Sequence, residues 1–395
     1  MSNNKRIFYA CQALAITNEG DAGIDATDMV HGVQSVGINT SFNLEQVFEL
    51  GQVEIYENIE GTPDIEVTLE KVIDGYPLIY HMATIGVAGT SNSGIVGRAD
   101  TKCDLRLGIF DASKNSVAGQ NAEVEVYCSG MVVSSISYTV PVDGNCTESV
   151  TLVGNNKRWL VTGQQIGSTD VASFNGSDSP KALGTDSSPS GGVQRREDVL
   201  LAGSILPRVI DGVLNIGAAA SGYGNGLNGT TPRVHIQNFT CSTDFGREDI
   251  LELGRKAAFF RPATFPVEVT CEIEAITTSG DFVDALEAGA ASLTGTVDSG
   301  NNLRNESIFL LLRCGVAFDL GNKNKLTSVS YGGGDAGGGN VSCSYSFQNF
   351  NSLDVQDIAQ ASGYIGFGAL TLNAGVSSKR ANDVGQGTFP TGLIG

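Results

Sequence analysis

Three histidines occur in 395 residues, His31, His81 and His235, and no H-E-x-x-H pair is among them. The usual general base and the usual zinc ligand are therefore scarce. No Gly-Lys-Ser/Thr follows a Gly-rich turn and no G-x-S-x-G occurs, which excludes a phosphate-cradling loop and a nucleophile elbow. The eight cysteines (Cys11, Cys103, Cys128, Cys146, Cys241, Cys271, Cys314, Cys343) have no C-x-x-C spacing, which argues against metal clusters and redox pairs. They are expected to be buried, reduced thiols that act as small hydrophobes. Catalytic residues, cofactor and metal are all expected to be absent, so the chain is not expected to be an enzyme.

Charged residues are 17% of the chain, below the usual ~25%. Aromatics are 7%, with a single tryptophan, Trp159, expected to pack in a core. The best apolar run, Ile308 to Leu312, is ended by Arg313, far short of the ~20 residues that cross a membrane as a helix. The start, Lys5 to Ile16, resembles a signal peptide weakly, but Cys11-Gln12 interrupts it and a first β-strand is the expectation.

What is present is glycine, 51 residues, nearly twice the usual ~7%, and acid, with a net charge of −19. The first suits a mainly β fold with many turns. The second repels nucleic acid at long range. It serves solubility alone, or it marks a surface that DNA must pass without sticking.

One small module occurs twice. Phe42, Glu45, Glu49, Leu50 and Gly51 match Phe245, Glu248, Glu252, Leu253 and Gly254 at a constant offset, and after a one-residue gap Glu66 and Thr68 match Glu268 and Thr270. A duplicated unit sets the architecture. Alternation is its clearest signal. Ile65, Val67 and Leu69 oppose Glu66, Thr68 and Glu70, while Val267, Val269 and Cys271 oppose Glu268, Thr270 and Glu272. Period two with one polar face predicts a strand that covers a core on one side.

Further strands are predicted at 6–16, 33–40, 77–86, 103–110, 122–139, 147–153, 205–216, 232–240, 256–260, 307–318, 325–331 and 340–348. A short helix is predicted at 44–50, with Asn43 as N-cap, Val47 and Leu50 on one face, and Gly51 as the left-handed stop. Its counterpart ends at Gly254. Two more are predicted at 281–288 and 353–361. Leu107 to Asp111 loosely matches Gly315 to Asp319.

The stretch 164–198 is rich in Ser, Gly, Asp and Pro and reads as a linker or long loop. It divides the chain into 1–163 and 199–395. Asp21, Asp25 and Asp28 lack the spacing of a calcium loop, and Gly332 to Asn340 reads as a hairpin tip rather than a single calcium-binding repeat. Glu45/Glu49 and Glu248/Glu252 are expected on a solvated or partner-facing helix surface. Glu66, Glu70, Glu268 and Glu272 are candidates for a water-facing sheet surface such as a channel wall.

The string Ser242 to Arg255 followed by Phe265 to Thr270, and its counterpart Phe42 to Gly51 followed by Ile65 to Glu70, resemble the core of bacteriophage tail tube proteins. That resemblance implies a β-sandwich or half-barrel with a flanking helix in each half. It also implies that sheets join side by side into a ring, and that rings stack into a hollow tube carrying DNA. The partners implied are further copies of the chain, stacked rings, and sheath, baseplate and terminator proteins. DNA would pass without specific binding, and no membrane is involved. The location implied is the virion tail, with assembly in the host cytoplasm.

If each chain supplies two tube units, three chains make a pseudo-sixfold ring. The other option is a hexamer with the second unit outside. The first copy has Leu44 and Gln52 where the second has Arg247 and Arg255, so the two need not make equal contacts. The same fold would also serve a baseplate hub or tail-completion ring. A carbohydrate-binding β-sandwich is a further alternative, weakened by the single tryptophan.

Overall fold

The computed structural model describes residues 7–20, 24, 28–84, 94–111, 117, 121–161, 165–166, 170–171, 193–202, 208–210, 214–215, 234–277, 308–312, 314–333, 339–357 and 376–378. The fold is mainly β. The first half contains β1 (Gln12–Asn18), β2 (Val33–Phe48), β3 (Ile55–Val72), α1 (Ile79–Thr84), α2 (Ile95–Arg98), β4 (Lys102–Ile109), β5 (Val124–Pro141), β6 (Thr147–Gly154), β7 (Asn156–Val161), β8 (Gln165–Ile166) and β9 (Asp170–Val171).

β5 is long enough to serve two layers. Its first part, from Val124, pairs with β4 and β7, and its later part, from Val132 to Thr139, pairs with β6. Gly130, at φ 64°, stands where the strand changes partners. The layers are β1-β4-β5-β7 and β5-β6-β3-β2. Leu14, Ile16, Leu105 and Leu107 from one share a buried cluster with Val67, Leu69, Val150 and Leu152 from the other. Alternation explains this: Ile65, Val67 and Leu69 are buried while Glu66, Thr68 and Glu70 are exposed.

The second half contains β10 (Val199–Ala202), β11 (Arg208–Ile210), β12 (Leu214–Asn215), β13 (Val234–Asp244), β14 (Glu268–Thr277), β15 (Phe309–Leu312), β16 (Val316–Asp319), β17 (Lys325–Gly332), β18 (Ser342–Phe350), β19 (Asp354–Asp357) and β20 (Val376–Ser378). One layer runs β13-β14-β18-β17 and the other β10-β15-β16-β19, with β20 beyond β10. The order is that of the first half, with β5 replaced by two strands, β16 and β17. By position, β15 therefore answers to β4, and β16 to the first part of β5. The expected match of 107–111 with 315–319 is corrected accordingly: one strand's ending was aligned with the next strand.

The halves share one sheet. β5 pairs with β13 antiparallel, from Pro141 opposite Asn238 to Ser135 opposite Asp244. Eight strands thus run in the order β17-β18-β14-β13-β5-β6-β3-β2.

Several local expectations are corrected. Residues 44–48 belong to β2 and are not helical. The counterpart near 248–254 is an irregular hairpin arm with an isolated bridge between Ile250 and Phe260, so 256–260 is not a strand. The segment 77–86 holds helix α1 instead of a strand. The 307–318 strand is two strands, and 354–357 is strand, not helix. The expected helix at 281–288 lies outside the described residues, as do residues 21, 25 and 334–338.

Helix α1 is completely buried, and a buried carboxylate makes this possible. Glu148 accepts from the Ile79 and Tyr80 backbone N–H groups at 2.7 and 3.1 Å and from the Tyr138 hydroxyl at 3.2 Å. These bonds satisfy donors that a helix start leaves open. Burial still raises the Glu148 pKa, against the opposing pull of the Tyr80 and Ile79 N–H groups.

All eight cysteines are buried thiols with no disulfide among them. Trp159, expected inside, is 59% exposed. It stands opposite Val126, in line with Leu107 and Leu14 of the core cluster, but β7 is the last strand of its layer among the described residues, so the ring is left uncovered. Most of the stretch 164–198 lies outside the described residues, but its end is built in. Gln194 bonds through its backbone to Ile73 and Cys146, and its side-chain oxygen accepts from the Cys314 N–H at 3.0 Å.

Candidate assembly surface

Cross-strand register decides which side chains share a face. Glu70 stands opposite Ser149, which stands opposite Ser137, then Ser242, Thr270 and Gln348. The next row holds Thr147, Thr139, Thr240, Glu272 and Ser346. One face of the eight-strand sheet is therefore a surface of hydroxyls and carboxylates, while its other face covers the core.

The four candidate sheet acids, Glu66, Glu70, Glu268 and Glu272, are all exposed on this face. The first pair lies on β3 and the second on β14, four strand spacings or about 19 Å apart. Ser35 donates to Glu70 at 3.3 Å, and Ser344 donates to Glu272.

The duplicated helix motif forms something else in both copies. Gln52 N–H bonds to the Glu49 carbonyl at 3.4 Å, and Arg255 N–H to the Glu252 carbonyl at 3.3 Å. Each closes a four-residue turn, Glu-Leu-Gly-Gln or Glu-Leu-Gly-Arg. Gly51 and Gly254 take φ of 107° and 86°, which the third position of a type II turn requires. Leu50 and Leu253 at the tips are fully exposed. Glu45 sits on a strand opposite Ile59, so the expected i, i+4 carboxylate face does not exist. Phe42 and Phe245 are matched in sequence but not in place: Phe42 is 66% exposed, Phe245 1%.

The two protruding hairpins touch one another. Arg261 in the second makes ion pairs with Asp64 of the first and with Asp249, and Lys256 approaches Glu60 at 3.6 Å. Both carry exposed apolar side chains, among them Phe48, Leu50 and Val53 in the first and Leu251, Leu253 and Phe259 in the second.

Sequence reasoning missed the residues that join the halves. Arg247 donates to the Val133 and Ala99 carbonyls of the first half and to its own half's Arg261 carbonyl, and pairs with Asp100 at 3.6 Å. Arg98, on α2, donates to the Val355 carbonyl at 3.3 Å. The difference between Arg247 and Leu44 in the two copies was the available signal.

Among the described residues, β2 and β17 end the sheet with no further strand beyond them. Unpaired edges are templates for pairing with another chain. Val36 and Ile38 on β2, and Leu326 and Val329 on β17, are only partly buried against the core. The described residues contain no group of three or more His, Cys, Asp or Glu able to hold a metal and no helix long and apolar enough to cross a membrane.

No family model and no curated protein matches the sequence. Solved structures similar to it include the tube-terminating cap of the anti-feeding prophage, with 11% identity over 41% of this chain and 95% of that chain and a TM-score of 0.29. The sheath–tube complex of an extracellular contractile injection system, PVC, in its extended state matches with 10% identity over 40% of this chain and 94% of that chain, at a TM-score of 0.28. The sheath/tube terminator of that system matches with 11% identity over 40% of this chain and 100% of that chain, at a TM-score of 0.29.

Proposed function

We propose that this chain is a structural, non-enzymatic subunit of a phage-tail-type tube, which closes into rings that stack around a lumen through which DNA leaves the virion. The observation that carries the reading is the joint between β5 and β13. It sets one half beside the other, edge to edge and in one direction, and among the described residues the equivalents of those same two edges stay open at β17 and β2. A head-to-tail contact of this kind repeats until it closes.

Three chains of two units each then make a pseudo-sixfold ring. The units correspond to the division 1–163 and 199–395, joined through 164–198. Eight strands per chain give a closed sheet of about 24 strands, on the order of 40 Å between facing backbones. The second layer covers the apolar side of the sheet, so the hydroxyl and carboxylate face becomes the inner wall. Glu66, Glu70, Glu268 and Glu272 there repel the DNA backbone. The apolar hairpin tips contact the next ring, sheath or baseplate.

Negative-stain microscopy of purified protein tests the reading. Rings with a central hole that stack into tubes support it, and a chain that stays monomeric at high concentration contradicts it. Rings that form but never stack would make the chain a hub or tail-completion ring instead.

A further inference from the structure

Beside the open β2 edge lies a groove of about 660 Å³, lined by Leu14, Val30, Val33, Val36 and Leu107 among others. The corresponding place in the second half lies beside β13 and is lined by Val199, Ile236, Phe239 and Leu310. The linings come from matching strands, β1, β2 and β4 in one case and β10, β13 and β15 in the other. There the space is only about 30 Å³, and Val140 and Pro141 at the end of β5, with Val142 just after it, complete its lining. Among the described residues, the first half thus presents open a site that in the second half is narrowed by a strand end.

The strand equivalences identify the missing plug. Ser137 pairs with Ser149 and Thr139 with Thr147 in the first half, as Ser328 pairs with Ser346 and Ser330 with Ser344 in the second. β17 therefore corresponds to the end of β5, and Tyr331 to Val140. Val140 is 6% exposed, whereas Tyr331 is 53% exposed. Tyr331 stands opposite the buried Cys343, so it lies on the core side of the sheet and is still exposed there.

We propose, resting on the ring reading above, that β17 of one chain pairs with β2 of the next in one register and seats Tyr331 in this groove. Transferring the β5–β13 register places Ser330 opposite Ser35, Val329 opposite Val36, Ser328 opposite Gly37 and Leu326 opposite Ile38. Tyr331 meets Val33 and the space in front of Leu14 and Leu107. The four apolar side chains left half-covered at the two edges are then covered by one another. An aromatic anchor in a pocket at the centre of a contact is where binding energy concentrates.

Two variants test this. Ser35 and Ser330 lie at opposite ends of the sheet within one chain, so a disulfide in the S35C/S330C protein forms only between chains. Non-reducing electrophoresis after mild oxidation should show a ladder that stops at three chains, and a G37C/S330C control should cross-link far less. All native thiols are buried and do not compete. Tyr331→Ala should weaken association by about 30-fold or more in sedimentation, as loss of a hot-spot side chain does, with an unchanged circular dichroism spectrum. Wild-type rings without the S35C/S330C cross-link, or with normal association of Tyr331→Ala, overturn this contact and leave the ring reading standing. Absence of any wild-type oligomer overturns both.

Discussion

Arg247 Nε donates to the carbonyl of Val133 at 2.9 Å, across a sequence separation that spans the two halves of the chain. The guanidinium is 5% exposed and holds the base of the second hairpin against β5 of the first half. At the matching position of the first hairpin stands Leu44, 60% exposed. The joint inside the chain is thus tied by a buried cation, whereas the joint proposed between chains would have an apolar side chain at that place.

Arg247→Ala leaves the Val133, Ala99 and Arg261 carbonyls without their donor. We expect a loss of about 2–4 kcal/mol in unfolding free energy, measured by denaturant titration of the dissociated chain. Arg247→Lys should recover only part of it, since one ammonium cannot reproduce the planar fork. A change below about 0.5 kcal/mol for Arg247→Ala would show that this side chain does not hold the halves together.

His81 gives the fold a sensitivity to acid. Burial, with a further push from Arg98, lowers its pKa to about 3, and its Nδ1 has no hydrogen-bond partner among the described residues. The unfolded chain, with a pKa of about 6.5 for this group, takes up the proton first as pH falls. Stability is therefore fully present above about pH 6.5 and declines toward pH 3. Burial of Glu148 works the other way above its ordinary carboxylate pKa, so the contribution of His81 is read by difference. The slope of unfolding free energy between pH 6.5 and 4 should flatten in His81→Leu, and an unchanged slope would refute the assignment.

The acidic sheet face predicts a charge-reversal phenotype. Replacing Glu66, Glu70, Glu268 and Glu272 by Lys together should leave the sheet intact, because all four side chains are exposed. Assembled variant tubes should retain double-stranded DNA at low salt and release it as salt rises, whereas wild-type tubes should not bind. Equal retention by both proteins in a filter-binding assay would place these carboxylates away from the lumen.

The strands that form the sheet were legible because their alternation is strict. Ile65 to Glu70 and Val267 to Glu272 have one pattern and, in the structure, one role. The motif Glu-Leu-Gly was misread as a helix end for a definite reason. A glycine after leucine serves equally as a left-handed helix stop and as the third residue of a type II turn, and Val47 and Leu50 match a helical spacing by coincidence. The β-rich run Val53-Glu54-Ile55-Tyr56 beyond the turn favoured a hairpin. Helix α1 was read as a strand because Leu78 to Ala83 is apolar apart from His81, and periodicity cannot separate a fully buried helix from a buried strand. The joint between the halves left one trace in the sequence, Arg247 where the first copy has Leu44, but its partners Val133 and Asp100 were not legible, since they are brought to it only by the pairing of β5 with β13.

The central claim is that each chain contributes two head-to-tail units to one closed wall. End-on cryo-electron microscopy averages of the assembled protein test it most directly. The account predicts a ring with six similar lobes built from three chains, whose sheets run unbroken from β17 of one chain to β2 of the next. A wall made from the first half of six chains with the second half hanging outside, or no ring at any concentration, would contradict it.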